Sequence, residues 1–99
     1  MKPATERRIS ADLRTIGEDI RTFRKLNRLT MQQVAERAGV SRSLVSRLES
    51  GAAGVSIGSL LRVCRALGVN EILVGALDPY NTAIGKAQAL SQLPQRIRN

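Results

Sequence analysis

The chain has 99 residues, which is enough for one compact core and too few for two domains of ordinary size. Its 16 basic and 8 acidic residues give a formal net charge of +8, which favours a polyanionic partner and salt-sensitive binding. With one Cys and no His, the sequence excludes an intrachain disulfide, a zinc site built from the usual His and Cys ligands, and Ser/His or Cys/His catalytic pairs.

The cationic side chains are mostly arginine, and aromatic side chains are scarce. Thirteen of the 16 cations are Arg, and a planar guanidinium suits phosphate groups and guanine edges better than an ammonium does. Aromatic residues make up 2% of the chain, namely Phe23 and Tyr80, which disfavours proteins that stack single-stranded bases on rings. The charge alone does not separate DNA from RNA or a membrane surface, but the composition as a whole favours duplex DNA.

Residues 1 to about 8, MKPATERR, are polar, contain Pro3 and begin no periodic pattern, and apolar periodicity starts at Ile9. We interpret residues 1 to 10 as a mobile basic arm. They lack the apolar centre of a signal peptide, and no apolar run in the chain is long enough to span a bilayer. A cytoplasmic protein that does not insert into a membrane is therefore expected.

Helical spacing and capping residues predict the first two helices. Helix 1 is placed at about 11 to 27, because apolar residues recur there at alternating steps of four and three. Thr30 and Gln33 form a capping-box pattern that starts helix 2, at about 31 to 38. Gly39 is expected to end this helix in the left-handed conformation.

Helix 3 follows a short turn. Ser41 is well placed to cap it, and the helix is expected over about 42 to 49, with Leu44, Val45 and Leu48 on its buried side. The small, glycine-rich segment from 51 to 56 is predicted to be a loop.

Two more helices and a tail complete the pattern. Helix 4 extends from Ile57 to Gly68, and Cys64 on its apolar face is expected to be a buried, inert thiol. Asn70 is predicted to cap helix 5, at about 71 to 77. Residues 78 to 99 begin with a Pro-containing breaker and form either an extra helix or a disordered tail.

The segment from Leu29 to Gly51, LTMQQVAERAGVSRSLVSRLESG, carries a family resemblance. Its characteristic positions are Ala35, Gly39, Val45, Leu48 and the terminal Glu49-Ser50-Gly51. Together with the flanking helices, it resembles the Cro/repressor-type helix-turn-helix of the XRE family over about residues 16 to 77. The resemblance implies an all-α fold: a five-helix lambda-repressor-like DNA-binding domain at 11 to 77, with 78 to 99 as a short C-terminal extension.

The outward face of helix 3 is the predicted reading surface. The apolar side must point inward, so the polar side chains Arg42, Ser43, Ser46 and Arg47 point outward, where a recognition helix contacts base edges. An arginine here would donate two hydrogen bonds to guanine O6 and N7. The alternative is that both arginines are solvated surface charges.

Contacts to phosphate are expected from the start of helix 2 and the loop after helix 3. The candidate side chains are Gln32, Ser41, Ser50 and Arg28. Related proteins carry Gln directly after the helix 2 cap, where this chain has Met31, so either Gln32 substitutes from the next position or this phosphate contact is weaker. The resemblance also implies a structural ion pair between Arg24 and Glu49, apart from the DNA-facing charges.

The resemblance implies a sequence-specific transcriptional regulator that binds double-stranded DNA. We expect a homodimer that binds a palindromic operator and represses transcription, including from its own promoter. The dimer surface would be helix 5 or the tail. The alternative for helix 5 is that its apolar residues only close the core. The alternative is an antitoxin whose C-terminal region binds a toxin protein and whose helix-turn-helix regulates its own operon. An enzyme, a metal site or a cofactor is not expected.

Overall fold

The computed structural model describes residues 3 to 92, with side chains up to residue 91. The first two residues of the predicted arm and residues 93 to 99 of the predicted extension lie outside this range. All elements of the described range are helical, which confirms the all-α prediction. They are α1 (Ala4–Leu26), α2 (Met31–Ala38), α3 (Arg42–Glu49), α4 (Ile57–Ala66), α5 (Asn70–Ala76), a 3₁₀ helix (Pro79–Asn81) and α6 (Ala83–Gln92).

Helix α1 begins seven residues earlier than its predicted start at residue 11. Residues 4 to 10, assigned to a mobile arm, form its first two turns. Pro3 occupies the N-cap position, and its carbonyl accepts a hydrogen bond from the Arg7 amide at 3.2 Å. The negative charge of Glu6 in the first turn stabilises the positive end of the helix dipole. The prediction was wrong because it relied on apolar periodicity, and these turns are exposed and bury no apolar face.

The predicted caps around the turn between α2 and α3 are confirmed. The Thr30 hydroxyl accepts from the Gln33 amide at 3.1 Å, and the Gln33 side chain accepts from the Thr30 amide at 2.8 Å. Gly39 lies at φ 69°, and the Ser41 hydroxyl accepts from the Leu44 amide at 3.0 Å. These local hydrogen bonds fix where α3 starts, independently of the core.

The predicted cap of the fifth helix is wrong. Asn70 is the first residue of α5, the N-cap is Val69, and no side chain caps this end. Val69 has φ −119° and ψ 11°, outside the extended conformation of a capping residue, because its amide still donates to Cys64 at the end of α4. The preceding turn therefore decides where α5 begins.

The core lies where α1 to α4 meet. Val34, Val45 and Val63, one each from α2, α3 and α4, are fully buried, and Ile20 contributes from α1. The inner side of helix α3 is therefore held by close packing against the core, and its outer side faces solvent.

Helix α1 approaches the end of α3 too closely for side chains. A Cβ on Gly17 would lie 2.5 Å from the Glu49 carbonyl oxygen and 2.7 Å from that of Leu48. A Cβ on Gly51, at φ +80°, would lie 2.8 Å from the Arg14 Cα. Glycine at both positions lets α1 hold the C-terminal end of α3 by direct backbone contact.

Candidate nucleic-acid interface

The two sides of α3 differ as the sequence predicts. Val45 and Leu48 are buried and Leu44 is half-buried. All four predicted base-contacting side chains are exposed: Arg42, Ser43, Ser46 and Arg47. The structure brings them together on one surface of a short helix, which is the placement that groove entry requires.

Both arginines of this face are free to donate. Within residues 3 to 91, neither Arg42 nor Arg47 makes a side-chain hydrogen bond or an ion pair. Arg24, by contrast, has its guanidinium engaged by Glu49 and the Leu29 carbonyl. Two unpaired guanidinium groups on one helix face provide ten N–H donors and two positive charges to a ligand.

The four predicted phosphate contacts are exposed but differ in their availability. The Gln32 amide donates to the Glu36 carboxylate at 3.1 Å, which places an acid beside it. The Ser50 hydroxyl donates to the Arg47 carbonyl at 2.8 Å. Ser41 uses its oxygen as an acceptor in the helix cap and keeps its O–H for a phosphate. Of these three, Ser41 keeps its O–H and Gln32 keeps the second N–H of its amide, whereas the Ser50 O–H is already used.

Arg28 occupies a backbone conformation that arginine rarely adopts. It lies at φ 57°, in the left-handed region, and it is the one residue besides glycine that does so in the described chain. Its amide donates to Lys25, and the next amide, of Leu29, donates to Arg24, so the turn ends α1 as glycine usually does. The exposed guanidinium stands two residues before the Thr30 cap of α2, near the helix start where phosphate contacts are expected.

Arg24 and Glu49 form the ion pair that the resemblance implied. Arg24 Nε lies 2.6 Å and Nη2 3.0 Å from the two carboxylate oxygens, and Nη1 donates to the Leu29 carbonyl at 2.9 Å. The side chains are 11% and 3% exposed. The hydrogen bonds to Glu49 raise the pKa of Arg24 above its ordinary value. This pair ties α1 and the segment before α2 to the last residue of α3, so its role is structural.

The structure adds Arg62 to the candidate surface. This exposed side chain on α4 places its Nη1 3.9 Å from the position of a Cβ on Gly39, at the turn between α2 and α3. The sequence does not predict this placement, because Arg62 and Gly39 are far apart along the chain. The one signal was that Arg62 lies off the apolar face of helix 4.

Other kinds of site find no support in the described part of the chain. Residues 3 to 91 contain no group of three or more His, Cys, Asp or Glu side chains placed to hold a metal ion. Cys64 is buried at 5% exposure, and burial raises the pKa of its thiol. Among these helices none combines the length and apolar character needed to cross a membrane.

Comparison with known proteins agrees with this geometry. A family profile described as a helix-turn-helix domain matches residues 15–77, which include α2, α3 and α4. The immunity repressor protein of Bacillus phage phi105 is 36% identical over 75 residues, which cover 76% of this chain and 50% of the repressor. The chain therefore spans about half the length of this relative. No solved structure matches the chain significantly. The capped turn, the two-sided α3 and the matched profile together show that the chain belongs to the helix-turn-helix domain family, as the Cro/repressor-type resemblance implied.

Proposed function

We propose that this chain is a sequence-specific, duplex-DNA-binding transcriptional regulator, which binds a palindromic operator as a dimer and represses. The observation that carries the proposal is the exposed face of α3, where Arg42 and Arg47 have no partner among the described residues and the other side of the helix is buried. Each arginine is suited to donate two hydrogen bonds to a guanine, with about 1 to 3 kcal/mol of discrimination against the wrong base.

The surrounding contacts serve to position this face. Ser41 and Arg28 supply phosphate contacts on either side of α2, and Arg62 adds a cation at the turn. Such contacts set the register of the protein on the duplex. Losing one lowers the binding affinity for all sequences equally. Gln32 contributes less, because one of its two amide N–H groups is bound to Glu36 and that carboxylate lies beside it.

A dimer is proposed because one copy of α3 reads little sequence. Eight residues of helix extend about 12 Å, roughly the length of three to four base pairs. Two copies related by a two-fold axis would read two inverted half-sites about one helical turn apart, which makes the site long enough to be specific.

Repression, rather than activation, is supported by the relative. That relative is called an immunity repressor, and the matched segment contains the whole of the reading surface. The same fold region also serves the antitoxin alternative, which stays a prediction because none of these observations favours a toxin as partner.

Selection from a pool of random duplexes tests the proposal. The native chain should enrich a palindromic consensus with half-sites about 10 base pairs apart, centre to centre. The Arg42→Ala/Arg47→Ala variant should enrich no consensus at the positions these side chains read. Retention of duplexes without any preferred sequence by the native chain would refute the proposal and leave a nonspecific cationic binder.

A further inference from the structure

An apolar groove lies between α1, α4 and α5, away from the reading surface. Its volume is about 390 Å³, and none of its lining residues belongs to α2 or α3. Its walls are formed chiefly by apolar side chains, among them Ile16, Phe23, Leu60, Val69 and Ile72. Among residues 3 to 91, Asp19 is the one charged residue that lines it. A groove of this composition favours an apolar occupant with a positive charge at one edge.

Helix α6 presents an apolar face that no other described residue of its own copy covers. Ile84 and Leu90 are each 74% exposed, and Ala87 lies between them on the same side of the helix. Lys86 stands at the edge of this side, next to Leu90 in angular position. The main contact of α6 is with the short 3₁₀ helix that precedes it, and none of residues 83 to 91 lines the groove.

The connection between α5 and α6 is held by a chain of hydrogen bonds. The Asn81 side chain donates to the Gly75 carbonyl at 3.0 Å, and the Thr82 hydroxyl donates to the Pro79 carbonyl at 2.6 Å. The Gly85 amide in turn donates to the Thr82 hydroxyl at 3.0 Å. These bonds fix the start of α6 relative to α5, so the helix does not fold back into the groove of its own copy without breaking them.

We propose that the groove between α1, α4 and α5 receives α6 from a second copy of this chain. The two copies exchange α6 reciprocally, so one two-fold axis covers both apolar faces at once. Ile84 and Leu90 enter the groove, and Lys86 meets Asp19 at its edge. The inference deepens the proposed function, since it rests on the dimer and names the surfaces that form it.

Sedimentation equilibrium of the full chain tests this exchange with a matched pair of double variants. Ile84→Gln/Leu90→Gln removes the apolar groups of α6. Leu26→Gln/Ile57→Gln removes two side chains of nearly equal exposure, 73% and 75%, that do not line the groove. The first variant should weaken dimerisation at least about 100-fold, because each copy loses two buried side chains, and the second should leave it unchanged.

A charge reversal tests the edge contact separately. Asp19→Lys should weaken the dimer, and Asp19→Lys combined with Lys86→Asp should restore it. A native chain that sediments as a monomer at 100 μM would overturn the inference. So would equal losses from the two double variants, or a combined charge reversal no better than Asp19→Lys alone.

The duplex selection separates this inference from the proposed function. A monomer that enriches a single half-site would overturn the exchange of α6 and leave base reading by α3 intact. A dimer that responds to the variants as expected but enriches no sequence would uphold the exchange and refute the proposed function.

Discussion

Replacing Gly17 by Ala tests the close approach of α1 to the recognition helix. An added Cβ would lie 2.5 Å from the Glu49 carbonyl oxygen, whereas ordinary contact begins near 3.4 Å. The obstructing atoms belong to backbone, which has no rotamer to change, so α1 and the end of α3 must separate by about 1 Å. Gly58 provides the matched control: it lies in α4, and a Cβ there has its nearest neighbour at 3.9 Å.

The two substitutions should change stability in opposite directions. Overpacking costs about 1 to 3 kcal/mol, and the gain in helix propensity from Gly to Ala offsets about 0.5 to 1 kcal/mol. With two backbone oxygens in the way, we expect Gly17→Ala to lower the free energy of unfolding by about 2 kcal/mol, which is a fall of roughly 8 to 16 °C in Tm. Gly58→Ala should raise the free energy of unfolding by at most about 0.5 to 1 kcal/mol, because Gly58 is the second residue of α4 and the full gain applies in a helix interior.

Urea and thermal unfolding, followed by circular dichroism at 222 nm, measure both changes. Gly17→Ala should also weaken binding to the selected operator, because the C-terminal end of α3 moves. A Gly17→Ala variant that is as stable as Gly58→Ala would show that α1 does not press against α3, and the account of how α3 is held would be refuted.

Three further substitutions test individual parts of the structure. Arg28→Gly should raise the free energy of unfolding by up to about 1 kcal/mol, since glycine fits the left-handed turn. The same substitution should weaken DNA binding and reduce the slope of log affinity against log salt concentration by about 0.9. Unchanged binding would show that Arg28 does not contact DNA. Arg24→Met should lower the free energy of unfolding, measured in urea, by about 3 to 5 kcal/mol, because the buried Glu49 carboxylate loses its partner. Arg24→Met/Glu49→Met should lower it by less. A larger loss in the double variant would contradict this. Burial raises the pKa of the Cys64 thiol above its ordinary value of 9.0, so above that pH the unfolded chain binds fewer protons and the free energy of unfolding should fall as pH rises. Cys64→Ala should remove that part of the slope, and parallel slopes in urea titrations of both proteins would argue against it.

The local parts of the fold were predictable from the sequence. The capping box of Thr30 and Gln33 and the cap at Ser41 involve residues three apart, and both are present as expected. The start of α1 was not predictable in this way, because residues 4 to 10 form helix without an apolar face. The apolar periodicity therefore starts later than the helix does. The cap at Asn70 failed because the turn that ends α4 sets the backbone of Val69.

The candidate site was predictable to the extent that one helix determines it. The buried side of α3 forces Arg42 and Arg47 outward, which the sequence alone implies. The position of Arg62 beside the turn depends on how α4 packs against α2, and such long-range packing leaves no mark in the local pattern. The constraint on Gly17 was missed for the same reason, since a glycine inside a helix does not reveal what lies opposite it.

Discrimination between the selected operator and a scrambled duplex of equal length tests the central claim most directly. In competition titrations, Arg42→Ala and Arg47→Ala should each lower the ratio of the two affinities by about 5- to 150-fold. The charge-matched controls Arg8→Ala and Arg21→Ala, at exposed positions on α1, should affect both duplexes equally and leave the ratio unchanged. An unchanged ratio in both α3 variants would contradict the conclusion that this face reads DNA sequence.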